Sequence, residues 1–429
     1  MFRVPTWIGF EEFCTFTAMN ATRLMPSMQA EFEWTDDERT WMKRHALAIQ
    51  GDILPRLKDK PNLRYPLMTH KLMSRQKYKS KFPTWSQTED VVFPPGLNLE
   101  QASSEITAEF KSSLVQGHTF LDLTAGMGMD SFYFAARFEQ GVLVEQQSSL
   151  AKYTAHNFAC LHRSNVTIEA GLSAEQFLQY FSSQIDFVFI DPDRRPGKDR
   201  SILLEDCTPN VIELAPRLVN LSKKVMIKCS PLLDIQASIH QLGFVTEVYV
   251  VAVNNECKEL LLILEKTQTS SPKINAINLN SSHQVSQFSF DWHEEQASQV
   301  ECGELQNFLY EPNAAIMKSG GFKQLAQQWG VKKLHTHTHL YTSDECMPNF
   351  PGRVFKVENS CSVSKKSLTP YLTGLKANLT LRNFPGSQAD LKKKLGIQDG
   401  GEQYVFACKL VDESHALLVC RKAVFKEIP

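Results

Sequence analysis

Three short stretches hold the residues best suited to chemistry. The first is Asp122-Leu-Thr-Ala-Gly-Met-Gly-Met-Asp130, where the apolar run Phe120, Leu121 and Leu123 breaks into a turn at Gly126 and Gly128. The second, Gly141-Val-Leu-Val-Glu145, closes on a carboxylate 19 residues beyond Gly126. The third is Ile185-Asp-Phe-Val-Phe-Ile-Asp-Pro-Asp-Arg-Arg-Pro196. A strand, a glycine turn and a helix N-terminus expose backbone N–H groups, the usual place to hold a nucleotide-like ligand. A dinucleotide turn would want a third glycine or alanine, and Ser131 stands in its place. The Asp-x-x-x-Gly-x-Gly spacing puts Asp122 at the methionine end of S-adenosylmethionine (SAM), with Thr124, Ala125, Gly126, Met127, Gly128 and Asp130 around it. Glu145 and Gln146 would meet its ribose. SAM is the expected cofactor, and a dinucleotide or an empty turn is the lesser alternative. Taken alone, Asp122 reads as a capping or turn carboxylate.

Methyl transfer from a sulfonium is an in-line displacement, so the protein must align the nucleophile, take up or relay a proton and exclude water. Ligands of open α/β sheets bind beyond the carboxyl ends of the strands, where the third stretch ends. Asp191 and Asp193 are the candidate acceptors there, with Arg194 beside them, and Asp191 is also expected to border the cofactor. Arg194 and Arg195 suit an anionic group, because a guanidinium fork matches phosphate. The competing reading is an internal salt-bridge cluster. Lys228 and Lys258 are weaker candidates for the same crevice, and Ser173 stands where an acid often reads the adenine amino group.

The elements that must position these groups alternate regularly. Strands are expected at 119–123, 141–145, 165–169, 185–190 and 224–228, with helices at 131–138, 148–162, 173–182, 209–220 and 234–241. Two apolar strands, 244–253 and 259–265, follow without a helix between them and should form a hairpin. Such alternation implies an α/β fold with a mostly parallel, Rossmann-like sheet of seven strands. The boundaries read as a helical, basic region at 1–92, a SAM-binding domain at 93–268, a polar linker at 269–285 and an α+β domain at 286–429.

The chain has 429 residues with 46 basic and 47 acidic side chains, so no global field advertises nucleic acid. Locally, nine Lys or Arg residues between Arg56 and Lys81 face the single acid Asp59, with Tyr65, Tyr78 and Trp85 among or just after them. Cations neutralise phosphates and aromatic rings stack on bases, so Lys77, Lys79 and Lys81 are candidate RNA contacts. A solvated helix face is the bland alternative. Ten scattered cysteines without a Cys-x-x-Cys pair fit free thiols in a reducing cytoplasm, and no apolar run approaches a membrane span. His335, His337 and His339 alternate with Cys346 nearby, but no spacing is diagnostic of a ligand set, and no metal is expected.

The Asp191-Pro192 start resembles the Asp/Asn-Pro-Pro-aromatic motif of amino-methyltransferases acting on nucleobases, with Asp193 and Arg194 replacing the second proline and the aromatic. Over most of its length the chain resembles a family of bacterial class I SAM-dependent methyltransferases with a C-terminal THUMP-like domain. The resemblance rests on Ser74-Arg-Gln-Lys-Tyr-Lys-Ser-Lys-Phe-Pro-Thr-Trp85, Leu99-Glu-Gln-Ala-Ser-Ser-Glu-Ile-Thr-Ala108, the glycine turn and Asp191-Pro-Asp-Arg-Arg195. In the last domain it rests on Leu309-Tyr-Glu-Pro-Asn-Ala-Ala-Ile-Met-Lys318, Leu340-Tyr-Thr-Ser-Asp344, Phe350-Pro-Gly-Arg353 and Arg382-Asn-Phe-Pro385. It implies a structured RNA substrate, tRNA or rRNA, methylated at a nucleobase nitrogen, with Gln101, Ser103 and Glu105 touching the cofactor. The alternatives are a protein or small-molecule acceptor, or RNA binding by a silent methyltransferase fold. No obligate protein partner is implied.

Overall fold

The computed structural model describes residues 32–46, 63–96, 98–194, 203–267, 271–282 and 284–424. Arg195, Arg56, Lys58, Asp59 and Lys60 lie outside the described residues, as does the side chain of Arg194. The chain divides into two compact units, Met1–Val245 with Leu261–Gln268 and Thr246–Leu260 with Thr269–Pro429.

The first unit opens with helices α1 (Asp36–His45), α2 (Tyr65–Lys77) and α3 (Pro83–Gln87). Thr35 caps α1 through a reciprocal pair with Glu38, and Phe32, Trp34, Met42, Met68 and Val92 form a small core. Four members of the basic segment are spent inside this fold. Arg64 ion-pairs with the buried Glu38, whose carboxyl it holds at about 2. Lys71 lies buried over the Trp34 ring, and the Arg75 guanidinium donates to the carbonyls of Ser86 and Glu89. Lys81 donates to the carbonyls of Leu99 and Glu100 at 2.9 and 2.7 Å.

Trp85 reads in the sequence as a stacking platform, but its side chain is fully buried, edge-to-face with Phe132 at 5.7 Å. Trp85→Ala should therefore cost about 3–5 kcal/mol of stability, measured by denaturant unfolding. A stability change near zero, together with weaker RNA binding, would restore the stacking role.

Helix α4 (Glu105–Ser113) leads into the alternating part. Strands β1 (Gly117–Asp122), β2 (Phe138–Glu145), β3 (Val166–Ala170) and β4 (Ile185–Ile190) are followed by a two-residue ribbon of β5 (Asp193–Arg194) and β6 (Cys207–Thr208), then by β7 (Ser222–Cys229). Between them run α5 (Met129–Phe134), α6 (Ser148–Cys160), α7 (Ala174–Tyr180) and α8 (Val211–Leu221), and α9 (Ile235–Leu242) follows β7. Strands β8 (Val245–Val253) and β9 (Glu256–Leu264) are joined by Asn254 and Asn255 at φ of 50° and 65°, the left-handed pair of a tight hairpin turn. The order β3-β2-β1-β4-β7-β9-β8 returns the sheet that the alternation implies.

The polar stretch 269–285 reads as a linker but carries a strand. β10 (Lys273–Leu279) runs parallel to β8, from Lys273 opposite Glu247 to Leu279 opposite Val253, and pairs antiparallel with β11 (Val285–Asp291). Ile274, Ala276, Ile277 and Leu279 are buried, and the flanking asparagines and serines mask this apolar set in the sequence. The sheet thus runs to nine strands where seven are expected. The second unit also holds β12 (Phe308–Pro312), β13 (Lys332–His335), β14 (Thr338–Ser343), β15 (Gly352–Ser362), β16 (Asn378–Arg382), β17 (Gln403–Lys409) and β18 (His415–Lys422), in the order β13-β14-β12-β15-β18-β17-β16. Among the described residues no helix is long and apolar enough to cross a membrane.

Candidate functional site

Parallel register places Asp122 opposite Leu143 and Phe189, Glu145 opposite Ala170, and Ile190 opposite Ile227. The carboxyl ends of these strands therefore finish on one edge, and the turns leaving β1 to β4 border one cleft. Gln101, Ser103, Asp122, Thr124, Ala125, Gly126, Met127, Asp130, Glu145, Gln146, Ser173, Asp191 and Asp193 line it.

The turn is pinned before any ligand arrives. Leu123 N–H donates to the Phe189 carbonyl at 3.0 Å and Ala125 N–H to that of Val144 at 2.9 Å. Glu145 accepts from the Gly126 N–H at 2.8 Å and the Gln147 N–H at 2.7 Å. Each carboxylate oxygen keeps a second lone pair for a ribose hydroxyl. Burial raises the Glu145 carboxyl above the usual carboxylate range. Thr124 Oγ1 accepts from the Asp191 N–H at 2.7 Å, tying the glycine turn to the end of β4.

Asp122 is buried and accepts from the Thr124 N–H at 2.9 Å and from the Ser131 hydroxyl. It serves as a turn carboxylate while still lining the cleft. Burial pushes its pKa up to about 7, partly offset by those two donors. A folded-state pKa above the unfolded one means that the native state binds the extra proton. Stability is thus lost as pH rises from the unfolded value through 7. Asp122→Asn keeps an acceptor for Thr124 and removes the buried charge. It should raise the melting temperature at pH 8 and leave it nearly unchanged at pH 5, with weaker SAM binding at both. Equal shifts at the two pH values would count against a buried titrating carboxyl.

Opposite the turn, the Asp191 carboxylate ion-pairs with Lys228 Nζ, 37 residues on, at the end of β7. The Asp193 carboxyl is raised, first by partial burial and then by the Asp191 charge. Asp130 is held by the fully buried Lys111 at 3.1 Å and accepts from Ser103 Oγ at 2.8 Å. This ties the segment before α4 to the start of α5. Neither Lys111 nor the lining residues Thr208 and Pro209 carries a motif in the sequence.

Comparison with the curated proteins returns no match. Family models match a ferredoxin-like domain at residues 308–351 and a THUMP domain-like region at residues 352–422. Among solved structures, that of a "putative methyltransferase" from Porphyromonas gingivalis is similar at a TM-score of 0.79 and 28% identity, covering 93% of this chain and 99% of that one. The fold is that of a class I methyltransferase with a C-terminal THUMP-like domain. An rRNA methylase from Streptococcus thermophilus matches at a TM-score of 0.30 and 16% identity over 38% of this chain and 96% of its own, too weak to argue from.

Within the methyltransferase fold two proposed cofactor residues do not line the cleft. Glu105 accepts from the N–H groups of Thr84 and Trp85 at 3.1 and 3.0 Å and so holds the N-terminus of α3. Gly128 sits at φ +83°, where an added Cβ would lie 2.6 Å from the Phe158 ring and 2.8 Å from Thr154 Cγ2. Both act on the scaffold. Ser173 lines the cleft but is also the N-cap of α7, accepting from Gln176 N–H at 3.2 Å.

The remaining candidates are placed elsewhere. Lys258 pairs with Glu256 at 2.7 Å, and Lys77 with Glu100 at 3.0 Å. Lys81 holds the backbone described above, and Lys79 is exposed. The three histidines do not share a strand, because His335 ends β13, His337 lies in the turn and His339 is in β14. His339 stacks on Phe322 at 3.6 Å, and among the described residues no group of three His, Cys, Asp or Glu is arranged to hold a metal.

Proposed function

We propose that this chain is a SAM-dependent methyltransferase that acts on structured RNA, tRNA or rRNA, at a nucleobase nitrogen. One observation carries the reading: Asp122, the glycine turn, Glu145 and Asp191 border a single cleft at the carboxyl edge of the sheet. Asp122 and the backbone N–H groups of the turn suit the methionine and sulfonium end of SAM, and Glu145 suits the ribose diol. Ser103 and Gln101 close the side toward α4.

Asp191 and Asp193 flank the acceptor. A base amine that attacks the methyl group must lose a proton as the new bond matures, and the raised Asp193 carboxyl is suited to take it. Lys228 pairs with Asp191 and orients its carboxylate. Arg194 and Arg195 complete the acceptor side in the sequence, adjacent to Asp193. The THUMP domain-like region supports RNA as the acceptor.

The test is transfer of tritium from labelled SAM into RNA, protein and small-molecule fractions, with wild type beside Asp191→Ala. Label in RNA that disappears in the variant is the expected result. Label confined to protein would reject RNA as the acceptor, and SAM binding with no labelled fraction would indicate a silent fold.

A further inference from the structure

The C-terminal unit contains a charged cluster far in sequence from the cofactor cleft. Glu311, at the end of β12, is 3% exposed and accepts from two arginines. Arg353, at the start of β15, approaches Oε2 with its Nε at 2.6 Å and also with Nη2. Arg382, at the end of β16, donates Nη2 to Oε1 at 2.8 Å. In the sheet β16 and β12 are separated by β15, β18 and β17. The two meet because the sheet curls until β16 touches β14.

One carboxylate and two guanidiniums leave the triad with a net positive charge. A guanidinium that served only as a tie would be expected to meet its carboxylate through two parallel bonds. Arg382 does not. Its Nη1 has only the Leu381 carbonyl at 3.5 Å and is the donor left for a ligand, while its Nε is buried and has no acceptor among the described residues. Both arginine side chains remain about one third exposed, at 38% and 31%, while the carboxylate beneath them is closed off. The Arg353 guanidinium lies over the rings of Phe355 and Tyr404 at 5.4 and 5.7 Å, which fixes its plane.

Lys333 is buried nearby, and its charge with that of Arg382 helps to hold the His339 imidazole at about 4, after burial as the larger cause. Of the further acids, Glu413 is engaged by His335 at 3.0 Å and by Lys409, and Glu295 acts on Lys333. Asn383, next to Arg382, donates to Thr338 Oγ1 at 3.3 Å and stays exposed at φ 51°, so the backbone after Arg382 turns sharply at the surface.

We infer that Arg353 and Arg382, oriented from below by Glu311, form a phosphate-binding site that grips the backbone of the RNA substrate. Glu311 is the positioning residue and the guanidinium forks are the contacts. The inference rests on RNA being the acceptor, and it assigns RNA anchoring to a specific place in the C-terminal unit.

The experiment measures binding of total tRNA and of a short single-stranded RNA to the full chain across a salt series. Arg382→Gln and Arg353→Gln should each weaken binding several-fold, independently of RNA sequence, and each should flatten the slope of log K against log salt by about one. Lys393→Gln, which removes an exposed charge on the helix Gln388–Leu395, should leave both readouts unchanged. Arg382→Lys keeps the charge and guards against a folding artefact, and it should retain the slope. A terminally phosphorylated strand outcompeting its dephosphorylated twin would assign the site to a phosphomonoester, and equal competition to the diester backbone.

Wild-type affinity and slope in both glutamine variants would overturn the site while leaving RNA methylation intact. An equal loss in Lys393→Gln would overturn it as general electrostatics. Absence of RNA binding by the wild type would instead strike the reading of RNA as the acceptor.

Discussion

Asp191→Ala is expected to lower methyl transfer by about 100-fold or more while SAM affinity changes little. The separation follows from how the residue is held. The backbone N–H of Asp191 donates to Thr124 Oγ1 at 2.7 Å, a bond that survives the substitution and keeps the glycine turn tied to β4. Only the carboxylate is lost, and with it the ion pair to Lys228. Calorimetric titration with SAM and single-turnover transfer on the same preparation measure the two effects. A parallel loss of binding and transfer would make Asp191 a scaffold residue.

Asp191→Asn sharpens the result, because it keeps the shape and the Thr124 contact but removes the charge facing Lys228. If the carboxylate orients the acceptor through its charge, the amide should fall nearly as far as alanine. Recovery of most activity in Asn would point to a hydrogen-bond acceptor role alone.

Gly128→Val should cost about 2–6 kcal/mol of stability and abolish SAM binding. Two costs combine. A β-branched residue is strained at φ +83°, and its Cβ would enter the Phe158 ring at 2.6 Å and Thr154 Cγ2 at 2.8 Å. Thr154 Oγ1 also donates to the Gly126 carbonyl at 2.8 Å, so displacing Thr154 disturbs the turn that contacts the ligand. Gly126→Ala is the comparison. Its Cβ would lie 4.0 Å from the nearest atom, leaving only the φ +57° strain of about 1–2 kcal/mol. Thermal unfolding should separate the two clearly, and similar melting temperatures would mean that α6 yields to the larger side chain.

The basic segment shows how the fold divides a charge run. Read as a string, Arg56 to Lys81 suggests a phosphate track. Folded, Arg64, Arg75 and Lys81 spend their donors on Glu38 and on backbone carbonyls, Lys71 is buried, and Lys77 faces Glu100. A long cationic side chain buries its stem and satisfies carbonyls as readily as it meets water. Composition cannot distinguish these fates.

The sequence by itself determined the features that local rules impose. Alternating apolar runs and helical patterns gave strands and helices within a few residues of those observed from β1 to β9, apart from the short ribbon of β5 and β6. Gly126 and Gly128 stand at positive φ, as a strand-to-helix turn requires, and Asp122 and Glu145 end the first two strands because a parallel sheet delivers strand ends to one edge.

Only the tertiary structure decided what each charged group meets. Lys228 and Asp191, Lys111 and Asp130, Glu105 and the start of α3, and the two arginines on Glu311 are partners 19 to 71 residues apart. Such pairings depend on strand order and on the curl of a sheet, which periodicity does not encode. For the same reason β10 hid in a polar stretch. Its apolar residues became core only when β8 lay alongside it.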